Sequence, residues 1–160
     1  MTDEAFQQAV EQYGDMIFRL AFSYLKNRAD AEDVMQETLL KLYTRAPAFA
    51  SEDNRRFWLV RVAVNESKKL LRSPWRRRIS PLEELAESTA FDTPAQSGLF
   101  QHVMSLPPKY RAAVYLHYYE GYTAVEIGRL LHRNVNTVYT LLARAKEQLR
   151  EKLGGDGYEG

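Results

Sequence analysis

The clearest structural pattern in the chain lies in residues 120–139, EGYTAVEIGRLLHRNVNTVY. Thr123 is placed to cap a short helix, and Glu126, three residues later, completes the pattern of a capping box. An apolar face at helical spacing follows, and a turn at His132 and Arg133 comes next. Asn134 can then cap a second helix. The stretch therefore predicts a helix-turn-helix.

The second helix of this motif separates an apolar face from a polar one. Its apolar positions are spaced by 4, 3 and 4 residues, at Val138, Leu142, Ala145 and Leu149. In a DNA-binding helix-turn-helix, the other face meets the major groove. An ordinary helical hairpin shows the same apolar spacing, but the agreement of caps, turn length and polar face favours DNA binding. The candidate DNA contacts, including one in the turn, are Arg133, Asn136, Thr137, Tyr139, Thr140, Ala143 and Arg144.

Composition limits the classes of protein that this chain of 160 residues can belong to. The abundance of Ala, Leu, Glu, Arg and Lys predicts a mostly helical fold. The absence of cysteine excludes disulfides and thiolate metal sites. No apolar run approaches the roughly 20 residues of a membrane span, and the N-terminus is acidic rather than signal-like. We therefore expect a cytoplasmic protein that does not insert into a membrane.

The net charge of +1 conceals a strong separation of charge along the chain. Residues 1–54 contain five Lys or Arg and ten Asp or Glu. Residues 55–78 contain nine Lys or Arg and a single acid, Glu66. Because phosphate binding depends on the local field rather than on the average, the second segment is a candidate nucleic-acid surface.

The sequence predicts an all-α protein with two small helical domains. The first domain covers residues 3–72, and a flexible linker rich in Pro, Ser, Thr and Glu follows over residues 73–97. The second domain covers residues 98–153, and residues 154–160 form a Gly-rich tail that we expect to be disordered.

Three helices are predicted in the first domain, over residues 6–25, 29–44 and 55–72, with a loop at 46–54. The first carries an apolar stripe at Val10, Tyr13, Ile17, Leu20 and Tyr24. The second turns Val34, Leu39, Leu42 and Tyr43 inward, and its opposite face is polar at Asp30, Glu32, Asp33, Gln36 and Glu37. The third carries a polar row at Arg61, Asn65, Lys68 and Arg72.

Each of these polar surfaces has a simpler interpretation. An acidic or basic helix face is often only solvated surface. Aromatic residues within the basic segment nevertheless favour nucleic-acid binding, and the carboxamide of Asn65 suits paired hydrogen bonds to a base edge. The acids near the start of the second helix are too close together to converge easily on a metal ion. The three histidines follow no metal-binding pattern, and there is no phosphate loop or nucleophile elbow. We therefore predict no catalytic residues, no metal and no cofactor.

Two ordered sets of motifs resemble a known family. DVMQE at residues 33–37, followed by FWLVRVAVN at 57–65, is similar to region 2 of sigma-70-type initiation factors of bacterial RNA polymerase. LPPKYR at 106–111, EGYT at 120–123 and the Thr-Val pair at 137–138 resemble region 4. Because only a short linker separates the two, the chain looks like a member of the compact extracytoplasmic-function (ECF) group.

The resemblance implies partners and site residues. The acidic helix, through Asp30, Asp33, Gln36 and Glu37, would dock on the clamp of the largest catalytic subunit of RNA polymerase. The loop at 46–54 would take up a base flipped from the melting duplex. The second domain would bind the −35 element as duplex and the flap of the second large polymerase subunit, and an anti-sigma factor is a further expected partner. The −10 element would contact Arg61, Asn65, Lys68, Lys69 and Arg72.

The recognition helix departs from the family pattern. Many members have Gly before the Thr-Val pair, and a basic residue, Ser and Arg after it. This chain has Asn136 before the pair and Tyr139, Thr140 and Leu141 after it. Two usual positive charges on or beside the DNA-facing surface are therefore missing. We expect −35 binding to depend more than usual on apolar contacts and DNA shape, with Tyr139 and Ala143 packing on thymine methyl groups.

Two other classes of function fit part of the sequence. A regulator that binds an operator without entering polymerase would also use the helix-turn-helix, but it needs a ligand pocket or dimer interface in residues 3–72. A sigma-like adaptor whose promoter contacts have decayed would explain the altered recognition helix, although the basic segment argues against it. Selective binding to a −10-like single strand would distinguish a sigma factor from an operator-binding protein.

Overall fold

A computed structural model describes residues 1–73 and 99–155 of the chain, with side chains described for 1–73 and 101–151. The described residues fall into two units, one on each side of the gap. Within these residues both units consist of helices, as predicted. Apart from Ser73, the predicted linker lies outside the described residues.

Within residues 1–73, the first unit has three helices: α1 (Asp3–Leu25), α2 (Arg28–Arg45) and α3 (Glu52–Leu71). Each packs against the other two. All three begin with a side-chain oxygen that accepts a hydrogen bond from the backbone N–H three residues later, as N-caps do, and the capping residues are Thr2, Asn27 and Ser51.

The predicted loop at 46–54 is too long. Because Ser51 caps α3, the helix starts three residues earlier than the predicted Arg55, and the connection shortens to residues 46–51. The first helix likewise begins at Asp3 rather than Phe6.

The core of the first unit contains the predicted apolar stripe of α1. Tyr13, Ile17, Leu20 and Tyr24 are buried, and Val10 is half-buried. The prediction that Tyr43 points inward is wrong, because its side chain is 44% exposed, and its hydroxyl donates to Asp3 Oδ1 over 3.1 Å. Burial of each large aliphatic side chain contributes about 1.5–3 kcal/mol to stability. The largest fully buried side chains in this unit are Phe22, Ile17, Leu20, Leu25, Leu42, Leu59, Val60 and Val64.

Over residues 99–155, the second unit has four α-helices and one π-helical turn. The α-helices are α4 (Leu99–Met104), α5 (Pro108–Val114), α6 (Ala124–Leu131) and α7 (Val135–Gly155). Residues Tyr115–Tyr119 continue α5 as the π-helical turn, where the Glu120 N–H donates to the Tyr115 carbonyl five residues back. Both α5 and α6 pack against α7. The last helix ends at Gly155 rather than Leu153, and the rest of the predicted disordered tail lies outside the described residues.

Candidate nucleic-acid and protein interfaces

The helix-turn-helix of the second unit begins with the predicted capping box. Thr123 Oγ1 accepts a hydrogen bond from the Glu126 N–H over 3.2 Å, and Glu126 Oε1 accepts one from the Thr123 N–H over 2.9 Å. Two of the unpaired donors at the start of α6 are thereby satisfied. This part of the sequence prediction is confirmed.

The turn between α6 and α7 depends on a close backbone approach at Gly128. His132 adopts a left-handed conformation with φ 56°, and the Arg133 N–H donates to the Gly128 carbonyl over 2.8 Å. A Cβ atom at Gly128 would lie only 2.8 Å from the Arg133 carbonyl oxygen. Asn134 then caps α7 as predicted, because its Oδ1 accepts from the Asn136 N–H over 2.8 Å.

The face of α7 predicted to meet DNA is exposed. Tyr139 is its largest apolar member and is 57% exposed. Thr140 donates its hydroxyl to the Asn136 carbonyl over 3.0 Å, so this hydroxyl proton is already engaged within the helix. The other exposed candidates on the helix and in the turn are Arg133, Asn136, Thr137, Ala143 and Arg144.

Leu141 corrects one part of the sequence interpretation. We expected both missing family charges to lie on or beside the DNA-facing surface, but the Leu141 side chain is only 5% exposed and belongs to the core. It packs on the same side as Val138 and Ala145, which are fully buried. Of the two replaced basic positions, only Tyr139 therefore changes the exposed surface.

The acidic face of α2 is smaller than predicted. Asp33, Gln36 and Glu37 are exposed, as expected. The expectation that Asp30 lies on this face is wrong, because its side chain is only 6% exposed. Only two residues separate the end of α1 from Arg28, the two helices pack against each other, and Asp30 lies in the first turn of α2, where its backbone N–H donates to Asn27 Oδ1.

The polar row of α3 is accessible along its length. Arg61, Asn65 and Arg72 are exposed, and Lys68 is half-buried. Lys69, the fifth candidate for the −10 element, is exposed beside this row and lines an open groove of about 450 Å³ between α2 and α3.

That groove joins the two candidate interfaces of the first unit. Its walls include Asp33 and Glu37 from the acidic face of α2, opposite Lys69 and Glu66 of α3. Glu66 also forms a partly buried ion pair with Lys41. The acidic face and the polar row therefore lie on two helices that line the same groove. A substitution on either surface is close to the other surface.

The loop at 46–51 contacts α3, and a side chain at the start of α3 is hydrogen-bonded to α1. The ring centroid of Phe49 lies 5.7 Å from that of Trp58 in an edge-on arrangement, and the Arg55 guanidinium lies 5.5 Å from the Phe49 ring. Tyr13, from the middle of α1, donates its hydroxyl to Glu52 Oε2 over 2.7 Å. Sequence reasoning missed this bond because the two residues are 39 positions apart and neither belongs to a motif.

Burial raises the pKa of the Tyr13 phenol to about 12, and the hydrogen bond to the Glu52 carboxylate adds to the increase. The protonated phenol is therefore favoured in the folded state. Because the folded pKa lies above the ordinary value of 10, the stability it contributes is complete below pH 10 and is lost as the pH rises towards 12.

In an alkaline titration followed by tyrosine absorbance, we expect the Tyr13 phenol to ionise about two pH units later than an exposed tyrosine. Tyr13→Phe should remove that late transition and leave the remaining tyrosines unchanged. A titration in which Tyr13→Phe removes a transition near pH 10 would contradict the buried hydrogen bond.

Within residues 1–73 and 99–155, no helix is long and apolar enough to cross a membrane. The same residues contain no cluster of three or more His, Asp or Glu side chains suited to a metal ion.

Comparison with known families identifies both units. Residues 9–77 match the model of sigma-70 region 2, and residues 101–149 match that of sigma-70 region 4, so the two matches span most of the chain. The chain belongs to the sigma-70 family. Within that family, this sigma factor is similar to the ECF RNA polymerase sigma factor SigW of Bacillus subtilis, at 29% identity over 94% of this chain and 89% of SigW. It is also 28% identical to the ECF RNA polymerase sigma-E factor of Haemophilus influenzae, over 96% of each chain.

Solved structures support the fold of this sigma factor. The sigma factor RpoE of Bartonella quintana, solved with the anti-sigma factor NepR, matches with a TM-score of 0.72 at 20% identity, over 94% of this chain and 98% of that one. CnrH, solved with the cytosolic domain of CnrY, matches with a TM-score of 0.67 at 22% identity, over 97% and 91% of the two chains. These matches agree with the arrangement of helices described above.

Proposed function

We propose that this sigma factor acts in the cytoplasm, where it binds core RNA polymerase, directs it to promoters and helps to melt them. The observation that carries the proposal is that regions 2 and 4 both fold with nearly all of their candidate contact residues accessible to solvent. A capped recognition helix, an acidic helix face and an adjacent polar row are the three surfaces that such a factor needs.

The acidic face of α2 is the proposed polymerase-docking surface. Asp33, Gln36 and Glu37 would meet a basic surface on the clamp of the largest catalytic subunit, where charge complementarity favours rapid and specific association. Asp30 is a weaker candidate than the sequence suggested, because a buried carboxylate is not available to a partner. The flap of the second large subunit would bind region 4 away from the DNA-facing side of α7.

The polar row of α3 is the proposed −10 surface. Asn65 offers a carboxamide for a base edge, and the neighbouring Arg61, Lys68, Lys69 and Arg72 offer positive charge for phosphates. Extruding a base from the duplex costs a few kcal/mol, and stacking on an aromatic side chain returns about 1–3 kcal/mol per base. Melting in this scheme needs binding energy but no catalytic residue.

The exposed face of α7 is the proposed −35 surface, and Tyr139 is its distinguishing residue. Replacement by alanine should weaken duplex −35 binding about five- to tenfold, because the apolar contact of a half-exposed tyrosine is lost. Tyr139→Lys should instead steepen the dependence of log Kd on log salt by about one unit, because it adds a phosphate contact. Gel-shift titrations at several salt concentrations measure both effects.

Tyr118→Ala provides a matched control for Tyr139→Ala. Tyr118 is 59% exposed, close to the value for Tyr139, but it lies in the π-helical turn rather than on α7. Unchanged −35 binding by Tyr139→Ala would show that the recognition helix does not use this side chain.

We further propose that an anti-sigma factor restrains this protein. The support is the fold, which resembles that of the Bartonella quintana sigma factor RpoE, solved in complex with the anti-sigma factor NepR.

In vitro transcription with bacterial core polymerase and a promoter library tests the proposed function. Start sites that appear only when the protein is added, with −35 and −10 motifs at a fixed spacing, would support it. Core binding without new transcripts would indicate a sigma-like adaptor, and failure to bind core would leave an operator-binding regulator.

A further inference from the structure

Phe49 is the only large side chain in the loop at 46–51, whose sequence is APAFAS. The neighbouring Pro47, Ala48 and Ala50 are exposed, whereas Phe49 is partly buried. If an extruded base meets an aromatic surface in this loop, that surface is the Phe49 ring or its neighbour Trp58. The position of Phe49 therefore determines the shape that the loop offers to DNA.

Two side chains of α3 hold Phe49. Trp58 contacts it edge-on, with ring planes at 64°, and the Arg55 guanidinium lies over the ring. A cation over an aromatic face is attracted by the ring quadrupole. Among the described residues, the Arg55 Nε is buried without a hydrogen-bond partner, so this nitrogen does not fix the guanidinium.

Glu52 supplies the contact that orients Arg55. Arg55 Nη1 lies 3.6 Å from Glu52 Oε1, and the other carboxylate oxygen accepts the hydrogen bond from the Tyr13 hydroxyl. The Glu52 side chain is 63% exposed, so by itself it would sample many rotamers. Tyr13 is only 5% exposed and is fixed by the α1 core. Tyr13 is therefore the rigid end of a series of contacts that reaches the loop.

We propose that Tyr13 is a positioning residue for promoter melting, which acts through Glu52 and Arg55 to hold Phe49 where the loop receives an extruded base. Tyr13 does not touch DNA in this scheme. The inference rests on the proposed role of the loop, and it adds a determinant in α1, away from the polar row of α3.

The test uses the full chain with core polymerase on a promoter that the wild-type protein opens. Permanganate reactivity of unpaired thymines in the −10 region measures melting over time. Tyr13→Phe, which keeps the ring and removes only the hydroxyl, should slow melting about three- to tenfold, the effect expected for the loss of one typical intramolecular hydrogen bond. Phe49→Ala should produce a defect of the same kind. Core affinity and duplex −35 binding should be unchanged in both variants.

Matched variants separate positioning from general stability. Tyr43→Phe also removes a tyrosine–carboxylate hydrogen bond in the same unit, to Asp3, and should melt the promoter at the wild-type rate. In a Glu52→Ala background, Tyr13→Phe should cause no further slowing, because the contact that it breaks is already absent.

Each outcome decides between the inference and the proposed function. Equal melting by wild type and Tyr13→Phe would overturn the inference while leaving the sigma function intact. A defect that Tyr43→Phe reproduces, or that comes with weaker core binding, would also overturn it. Absence of melting by the wild-type protein on every promoter would instead reject the proposed function.

Discussion

Replacing Gly128 with alanine should destabilise the second unit and strongly weaken −35 duplex binding. The added Cβ would lie 2.8 Å from the Arg133 carbonyl oxygen, 3.7 Å from the Val135 nitrogen and 3.8 Å from its Cα. All three are backbone atoms, so the clash cannot be relieved by rotating a side chain. Overpacking of this kind costs about 1–3 kcal/mol, and relief by opening the turn would move α7 away from α6. Thermal unfolding and a gel shift with −35 duplex measure the two effects.

Gly14 provides the control for this substitution. It also lies within a helix, but a Cβ there would meet only Met35 Sδ at 3.9 Å, an ordinary van der Waals distance. Gly14→Ala should therefore be neutral or stabilise the first unit by about 0.5–1 kcal/mol, because alanine is the better helix former. If Gly128→Ala has the thermal stability and the −35 affinity of the wild type, the close approach of the turn to α6 is not needed for DNA binding.

Reversing two charges on the acidic face should nearly eliminate binding to core polymerase. Asp33→Lys with Glu37→Lys replaces two attractive contacts with two repulsive ones on the proposed docking surface, where like charges facing each other cost several kcal/mol. We expect the affinity for core to fall at least about 100-fold, since each 1.4 kcal/mol changes Kd tenfold. Competition against a labelled wild-type protein for core polymerase measures the loss.

Glu11→Lys is the matched control for the charge reversal, because Glu11 is an exposed acid on α1 outside the proposed surface. It should compete with nearly wild-type affinity, and the double variant should still bind −35 duplex normally. Wild-type competition by the double variant would show that polymerase docks elsewhere on the protein.

Local features of the fold were accessible from sequence. The caps at Thr123 and Asn134 depend on hydrogen bonds to residues two or three positions away, so a short stretch contains both partners. The apolar stripe of α1 follows helical periodicity, and it is buried except at its half-buried first position, Val10. Such local patterns predicted the helix-turn-helix and the first helix, although the start of the first helix was placed three residues too late.

Features that depend on neighbouring helices were not accessible in this way. Helical spacing placed Asp30 on the acidic face, but Asp30 is buried in the first turn of α2, a helix that packs against α1. The cap at Ser51 starts α3 earlier than predicted and shortens the loop before it. The hydrogen bond from Tyr13 to Glu52 joins two residues that belong to no common sequence motif. The residue roles at the −10, −35 and polymerase surfaces stay predictions, since they depend on partners.

The burial of Leu141 also bears on how this recognition helix can evolve. Restoring the family's arginine at that position would place a guanidinium where the present side chain is 5% exposed, beside the fully buried Val138 and Ala145. An unpaired buried charge carries an effective penalty of several kcal/mol, which a marginally stable domain cannot absorb in one step. A lineage that carries Leu141 would have to remodel its core before it regained that arginine, whereas position 139, on the surface, is free to change and so to alter promoter choice.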